Sequence, residues 1–552
     1  MNFLRDDPAE DRLALLPALH EAQARDGCLT RDALERGAAS LGLAVADVYG
    51  AASFYHYFNT ESESPITRAA CRGPVCSLPG FSTRAAATLP HIPCPGLCDR
   101  APAHYDSGRF YGADNMGEDF LLPRTVKNET ALLRGISTPK PETLETYLEA
   151  GGYRQLRALN HAGDSAKALA LLETSGLLGR GGAAFSLAAK WKAVRVASQS
   201  PKYVVCNADE GEPGTFKDRA LLHLRPHLLL EGMAIAGHAV GAATGIIYLR
   251  YEYPQAFAVL SQAILDAEQA GFLGDRIQGS GFSFRIMVRR GAGSYVCGEE
   301  TALLNSLEGR RPWPRERPPF PTTHGLFGKP TVVNNVETLC WVPLILEKGA
   351  EWFRSLGKGD NAGTKIYSVS GLVQRPGNYE LPLGISAREL IFDRAGGPEP
   401  DHAIKAFTLG GISGGLLGED RLDLALDYQS PPQHGVFLGS GGVIVLDERC
   451  CVVDFVRSCM IFYERESCGK CYPCRIGTVR LREWLDALTG RATQPAISEA
   501  RVEQMRAAMT STSACGLGQS APLVVKGMQQ FFPEEVDAHL RARKCPAGVC
   551  PC

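Results

Sequence analysis

Three cysteines within eight residues constrain this chain more than any other feature: Ser467-Cys468-Gly469-Lys470-Cys471-Tyr472-Pro473-Cys474. A further cysteine opens Cys515-Gly516-Leu517-Gly518. Two CxxC steps in succession put three thiolates on one tight loop, and a fourth can arrive from a distant helix. Four thiolates are what a cubane iron–sulfur cluster needs. Tetrahedral zinc is the alternative, but zinc knuckles usually come as two separated pairs, and the compressed triplet favours a cluster. A chain holding such a cluster moves single electrons.

A second set lies near the N-terminus, Cys71-Arg72-Gly73-Pro74-Val75-Cys76 and Cys94-Pro95-Gly96-Leu97-Cys98. Its looser CxxxxC and CxxxC steps suit a two-iron cluster, with a zinc ribbon as the alternative. The tail adds His539, Cys545, Cys550 and Cys552. Joined by Cys459, the set His539, Cys545 and Cys550 would complete a zinc site of three cysteines and one histidine; an end with incidental cysteines is the other reading. Cys28, Cys206, Cys297, Cys340, Cys450 and Cys451 stand singly or as an adjacent pair in apolar or turn contexts. They read as small buried hydrophobes.

Composition narrows the class. A net charge of -2 with both signs interspersed speaks against a nucleic-acid or anionic-membrane partner. The first residues show no signal pattern, and eighteen cysteines in an unexported chain point to metal ligands rather than disulfides, so a cytoplasmic protein is expected. The most apolar stretch, Leu228 to Leu249, carries Glu231, His238 and glycines. It reads as a buried helix running into a strand, not a membrane span.

Leu13, Leu15, Leu16, Leu19 and Ala22 recur at helical spacing before Gly27, and Thr30 caps a second helix that Gly42 ends. A third, aromatic-rich helix covers Val45 to Phe58, packed against the next domain. Apolar strands at 203–206 and 245–249 then alternate with helical patterns. Short strands and turns fill 365–446, and the pattern is helical beyond Glu448.

Gly179-Arg180-Gly181-Gly182-Ala183-Ala184-Phe185 matches a dinucleotide turn superficially, yet a helical stretch precedes it where the Rossmann fingerprint needs a strand. With the following Lys190 it makes a phosphate cradle, since backbone amides reach an anion where no Cβ intervenes. Asn207-Ala208-Asp209-Glu210-Gly211-Glu212 directly follows a predicted strand, where α/β proteins bind ligands. Gly291-Ala292-Gly293 through Gly298-Glu299-Glu300 is a second glycine loop opening a helix, and Asn334-Asn335 offers paired amides.

Taken in order, GRGGAAF, YVVCNADEGEPGTFKDR, GAGSYVCGEETALLNSLEG, RPPFP, KPTVVNNVETL, ESCGKCYPCRIGT and CGLG resemble the flavin-carrying, NADH-oxidising subunit of respiratory complex I over about 144–533. The same module serves NAD-linked hydrogenases and formate dehydrogenases. The N-terminal part, with VYGAASFY before its four cysteines, is similar to the small two-iron thioredoxin-like subunit of those enzymes, here fused.

The resemblance implies an α/β multidomain protein. Its parts would be an N-terminal helical bundle (1–60), an abbreviated thioredoxin-like [2Fe-2S] domain (61–125), a linker (126–153), a Rossmann-like FMN and NAD(H) domain (154–360), a β-grasp-like domain (361–447) and a helical [4Fe-4S] domain with a cysteine-rich tail (448–552). It implies FMN on Gly179, Arg180, Gly181, Gly182 and Lys190, with Asn207, Asp209, Glu210, Gly298, Glu299, Asn334 and Asn335 around it. NAD(H) would contact Phe185, Glu212, Glu300 and Phe320, with Arg317 opening the RPPFP stretch. Glu300 and Glu212 beside the ribose would select NAD over NADP. No side chain need act as acid or base; Glu212 is the nearest candidate.

Three departures stand out. Ser186-Leu187-Ala188 replaces the family's Pro-Thr-Gly, Arg317 replaces a common lysine, and the stretch between Cys76 and Cys94 is short. The expected partner is a large catalytic subunit with further iron–sulfur clusters and a molybdenum or tungsten pterin, as in soluble formate dehydrogenase. A nickel–iron hydrogenase or a complex I-like assembly is the alternative, and a metal-stapled scaffold without cofactors is the rival from another class.

Overall fold

The computed structural model describes residues 10–60, 67–81, 88–113, 131–136, 140–493 and 497–552. The sequence expectations for the first residues, for the start of the linker and for the ends of the two-iron region lie outside these. The chain forms two compact units, one from Met1–Ile66, Ala131–Glu210 and Asp218–Gly363, the other from Thr67–Thr130, Gly211–Lys217 and Thr364–Cys552.

In the second unit, a small sheet runs in the order β2-β1-β3-β4: β1 (Arg68–Cys71), β2 (His91–Ile92), β3 (His104–Asp106) and β4 (Arg109–Tyr111). β1 pairs parallel with β2 and antiparallel with β3.

The first unit is built on a four-stranded parallel sheet, β5 (Tyr203–Ala208), β6 (Thr244–Leu249), β7 (Arg285–Arg290) and β8 (Thr331–Asn335), in the order β7-β6-β5-β8. Strands β5 to β7 step one way and β8 returns to the other flank of β5. The order therefore reverses between β5 and β8, at the crevice where open α/β sheets bind ligands. The apolar stretch from Leu228 forms a helix, Pro226–Val240, capped by left-handed Gly241, before β6. Its buried Glu231 accepts hydrogen bonds from the Tyr147 hydroxyl (2.5 Å) and the Tyr153 and Leu156 amides (2.7 and 3.2 Å). Those bonds fold 143–156, expected as linker and helix start, onto this unit. A carboxylate inside an apolar helix is tolerated there because its lone pairs are used.

The N-terminal helices Leu15–Asp26 and Arg31–Leu41 end and start where sequence signals place them, whereas the third, expected over Val45 to Phe58, stops at Ala52 and the aromatic residues after it lie in turns. Gly27 and Gly42 are left-handed, and the Thr30 hydroxyl accepts from the Ala33 amide at 3.2 Å. Leu16, Leu19, Val48 and Tyr55 share one apolar core with Val205, Ile246 and Leu303, so these helices belong to the α/β unit.

The second unit continues with β9 (Thr364–Gly371), β10 (Gly377–Pro382), β11 (Ile404–Thr408), β12 (Leu416–Gly418) and β13 (Gly442–Asp447), ordered β10-β9-β13-β11-β12, with β13 parallel to β9 and the other pairs antiparallel. Beyond it the chain is helical, Val452–Glu466, Tyr472–Leu488, Glu499–Thr512, Gly516–Ser520, Pro522–Phe531 and Pro533–Leu540. Among the described residues no helix is long and apolar enough to cross a membrane.

Candidate functional site: a nucleotide cradle and three cysteine centres

The cradle lies in the α/β unit. Gly179–Gly182 follows the helix Ser165–Ser175, as the sequence indicated, and leads into Leu187–Val196. Ser186 caps that helix by accepting from the Ala189 amide at 3.3 Å, so the departure from Pro-Thr-Gly keeps a helix start. A Cβ on Gly181 would lie 2.9 Å from the Asn335 Cβ, which makes glycine necessary for the close approach of loop and strand end. The Lys190 ammonium donates to the Val333 carbonyl at 2.9 Å and pairs with Glu300 at 3.3 Å. The register sets Asn207 of β5 opposite Asn335 of β8, at the reversal of strand order.

The asparagines do local work. Asn207 donates to the Gly298 carbonyl at 2.8 Å and accepts from the Asp209 amide at 3.1 Å. Asn334 accepts from the Trp191 indole at 2.8 Å. Asn335 caps the helix Val336–Lys348 and donates to Asp218 at 2.5 Å. Glu299 caps Glu300–Leu307, accepting from the Thr301 and Ala302 amides at 3.0 and 2.9 Å, while Arg317 bridges Glu299 and Glu300. Phe185 and Phe320 are 57% and 53% exposed, so two aromatic faces of the unit are open to stacking. Glycine backbone, an ammonium and amides at a switch point fit the phosphate and polar ring edge of FMN.

Three charged candidates, Arg180, Glu210 and Glu212, are engaged by protein partners. Arg180 turns into the core, donating to the Ala362 carbonyl at 2.8 Å, while its amide donates to the Thr338 hydroxyl. Glu210 holds the start of the helix Lys217–Leu224, accepting from the Asp218 and Arg219 amides (2.8 and 3.1 Å) and the Tyr253 hydroxyl (2.9 Å). That is the favourable position for a carboxylate on a helix dipole. Glu212 lies in the second unit, where one oxygen accepts from the Ile412 and Ser413 amides at 2.8 and 2.9 Å.

Cys468, Cys471, Cys474 and Cys515 converge in the second unit. The Cys474 thiol sits 3.3 Å from the Ser467 hydroxyl on the first turn of Tyr472–Leu488, and Cys515 immediately precedes Gly516–Ser520. A Cβ on Gly518 would fall 2.8 Å from the Cys474 Cβ, so this glycine lets the late motif close on the triplet. Burial, and then the nearby Cys471, Cys515 and Cys468 sulfurs, push the Cys474 thiol up to about 12. Sulfurs so crowded become thiolates together only around a cationic centre, which iron supplies.

Cys71, Cys76, Cys94 and Cys98 are all buried, with the Cys94 and Cys98 sulfurs 3.5 Å apart. Amides of Gly73, Ala103 and Gly214 donate to the Cys71, Cys76 and Cys98 sulfurs at 3.4, 3.4 and 3.3 Å. Such bonds raise a cluster's potential. Gly214, 116 residues from Cys98, could not be assigned this part from spacing.

The tail group differs from expectation in one ligand. Among the described residues, Cys451, His539, Cys545 and Cys550 bring their ligand atoms within 4.8 Å of one another. Cys451, read from sequence as a small hydrophobe, replaces Cys459, which lies about 12 Å further along the helix axis and is fully buried within the Val452–Glu466 helix. Its sulfur accepts from the Asp454 amide at 3.4 Å, and a helix N-terminus favours the thiolate. His539 Nε2 is 3.2 Å from that sulfur, while Nδ1 donates to the Leu488 carbonyl at 3.0 Å, which fixes the ring. The Cys451–Cys550 sulfur separation of 3.6 Å is close to the edge of about 3.8 Å expected for tetrahedral zinc. The helix-capping position of Cys451 was the available signal.

Comparisons with known proteins agree with this layout. The Nuo51 FMN-binding domain matches residues 172–344, the NADH-ubiquinone oxidoreductase-F iron–sulfur binding region matches 454–539, and the thioredoxin-like [2Fe-2S] ferredoxin matches 2–116. The second F-type chain of NADH-quinone oxidoreductase from Rhizobium meliloti is 44% identical over 76% of this chain and 99% of its own length. The HndC chain of the NADP-reducing hydrogenase of Solidesulfovibrio fructosivorans is 44% identical over 74% of this chain and 83% of its own. A solved chain of an NAD+-reducing [NiFe]-hydrogenase in the H2-reduced state superposes with a TM-score of 0.79 at 31% identity, covering 98% of this chain and 95% of that one. The protein thus has FMN, NADH, [4Fe-4S] and [2Fe-2S] domains, and its relatives are subunits of larger oxidoreductases. This chain belongs to the family of NADH-binding flavin and iron–sulfur subunits represented by the F-type chain of NADH-quinone oxidoreductase.

Proposed function

We propose that the protein is the diaphorase subunit of a multisubunit enzyme, exchanging electron pairs with NAD(H) and single electrons with its clusters. The observation that carries this reading is one chain combining a glycine cradle at the sheet's switch point with two four-cysteine centres. Flavin, when bound, accepts electrons from NADH as a pair and releases them singly. The backbone of Gly179–Gly182 and the Lys190 ammonium would hold its phosphate. Asn207, Asn334, Asn335, Asp209 and Gly298 would shape the ring pocket, while the exposed Phe185 and Phe320 would contact the nicotinamide nucleotide. Hydride transfer then needs positioning, not a side-chain base. Purified protein should show flavin absorbance and reduce ferricyanide with NADH; absence of both would favour a metal-stapled scaffold.

Glu300 sets coenzyme choice in this reading, because Glu212 is engaged by the Ile412 and Ser413 amides. The relatives' names include both NADH and NADP enzymes, so the choice is a property of this chain. Glu300→Gln should raise the NADPH/NADH ratio of kcat/KM about tenfold by removing a carboxylate that repels a 2′-phosphate. An unchanged ratio would remove Glu300 from this role.

The reading places zinc at Cys451, His539, Cys545 and Cys550. Cys451→Ser should lose about one zinc per chain on metal analysis, and Cys459→Ala should keep it. Zinc loss from the second variant alone would return Cys459 to the site.

For the partner, the reading favours a pterin-containing formate dehydrogenase subunit, because all four two-iron ligands are kept and buried together. A nickel–iron hydrogenase is the second reading, favoured by the end-to-end structural likeness. The assembly would sit in the cytoplasm, where thiols stay reduced. Co-purification decides: molybdenum or tungsten supports the first partner, nickel the second.

A further inference from the structure

We infer that the N-terminal helices act as a clamp that sets the geometry of the second glycine loop, so that His20 and Tyr57 are positioning residues for nucleotide binding. The inference rests on the nucleotide reading above and concerns only contacts within the α/β unit.

Three consecutive carbonyls of the loop are taken by the N-terminal segment. His20 Nε2 donates to the Gly291 carbonyl at 2.9 Å, the Tyr57 amide to Ala292 at 3.0 Å and the His56 amide to Gly293 at 3.1 Å. Gly293 has φ +84, and a Cβ there would lie 2.3 Å from the Tyr57 ring, so loop and ring are fitted to each other. Tyr251 stacks on Tyr57 (4.3 Å, 23°) and on His20 (5.5 Å, 15°), closing the aromatic side of the clamp. Gln23 holds the turn after the third helix, donating to the Tyr57 carbonyl at 2.6 Å and accepting from the Asn59 amide at 2.7 Å.

A second grip holds the other end of 291–306. The Tyr55 hydroxyl is 2.7 Å from the Ser306 hydroxyl, which is also 2.7 Å from the Tyr248 hydroxyl of β6. Ser306 lies on the helix Glu300–Leu307. Both ends of 291–306 are therefore held by the N-terminal segment, and Gly298, Glu299 and Glu300 lie between the grips. Burial and the Arg290 charge lower His20 to about 4, which keeps its ring neutral and its Nε2–H a donor at neutral pH.

The clamp acts on the backbone of the loop and on Ser306, so its loss should appear in binding and not in chemistry. His20→Phe keeps a ring for stacking and deletes the donor; Tyr57→Leu removes the stack; Glu35→Ala, on an exposed helix face, is the control. In the full chain, each of the first two should raise the NADH KM about three- to tenfold and weaken FMN retention, with kcat per bound flavin changed less than about twofold. Iron content should match the parent. The inference is overturned if KM and FMN affinity stay within about twofold of the parent, even where melting temperature falls, since that pattern is plain structural support. If Tyr57→Leu does not fold, His20→Phe decides alone. A parent chain that neither binds flavin nor oxidises NADH would overturn the nucleotide reading, and the clamp with it.

Discussion

Cys474→Ser should remove the four-iron cluster and lower iron from about six to about two per flavin, while NADH-dependent ferricyanide reduction persists and electron delivery to the catalytic partner drops by more than about a hundredfold. The expectation follows from position. Cys474 is buried on the first turn of Tyr472–Leu488, against Ser467 and directly opposite Gly518. Cys468, Cys471 and Cys515 are the other members of the same group, so none of them is spare to take its place. The nucleotide cradle lies in the other unit of the chain, so flavin reduction does not require this cluster. Iron analysis with a paired assay, ferricyanide against the natural partner, reads both halves. Retention of about six irons would show that the group is not the cluster site. Simultaneous loss of flavin would show that the two units do not fold independently.

Gly181→Ala should empty the cradle, with bound FMN falling at least about tenfold, a loss of roughly 1.4 kcal/mol or more. The added Cβ would sit 2.9 Å from the Asn335 Cβ, and Asn335 cannot retreat freely because it caps Val336–Lys348 and binds Asp218. The glycine loop must therefore shift away from the strand end that faces the ligand. Gly281→Ala, where an added Cβ meets open space, is the matched control in the same unit. Flavin released by acid, normalised to cluster iron, separates a local effect from unfolding, since the clusters lie in the second unit. Full flavin content in Gly181→Ala would take the phosphate away from this loop.

The sequence by itself determined what depends on neighbours along the chain. Cysteine spacing specified two cluster-binding loops because their ligands come from short turns. Helix ends at Gly27, Gly42 and Thr30 followed from backbone freedom and a capping hydroxyl. The helical stretch before Gly179 excluded a Rossmann turn, and the helix Ser165–Ser175 is there. Tertiary structure decided what depends on residues far apart in sequence. Cys451 and Cys459 look alike in composition, but only Cys451, at the mouth of its helix, reaches His539 and Cys550. Arg180 and Glu210 carry the charges expected of ligand-binding groups, yet Ala362 takes up the first and the start of Lys217–Leu224 the second. Gly214 meets Cys98, and His20 meets Gly291, across 116 and 271 positions. Local spacing cannot encode such pairs, because they form only when burial of apolar faces brings separate elements together.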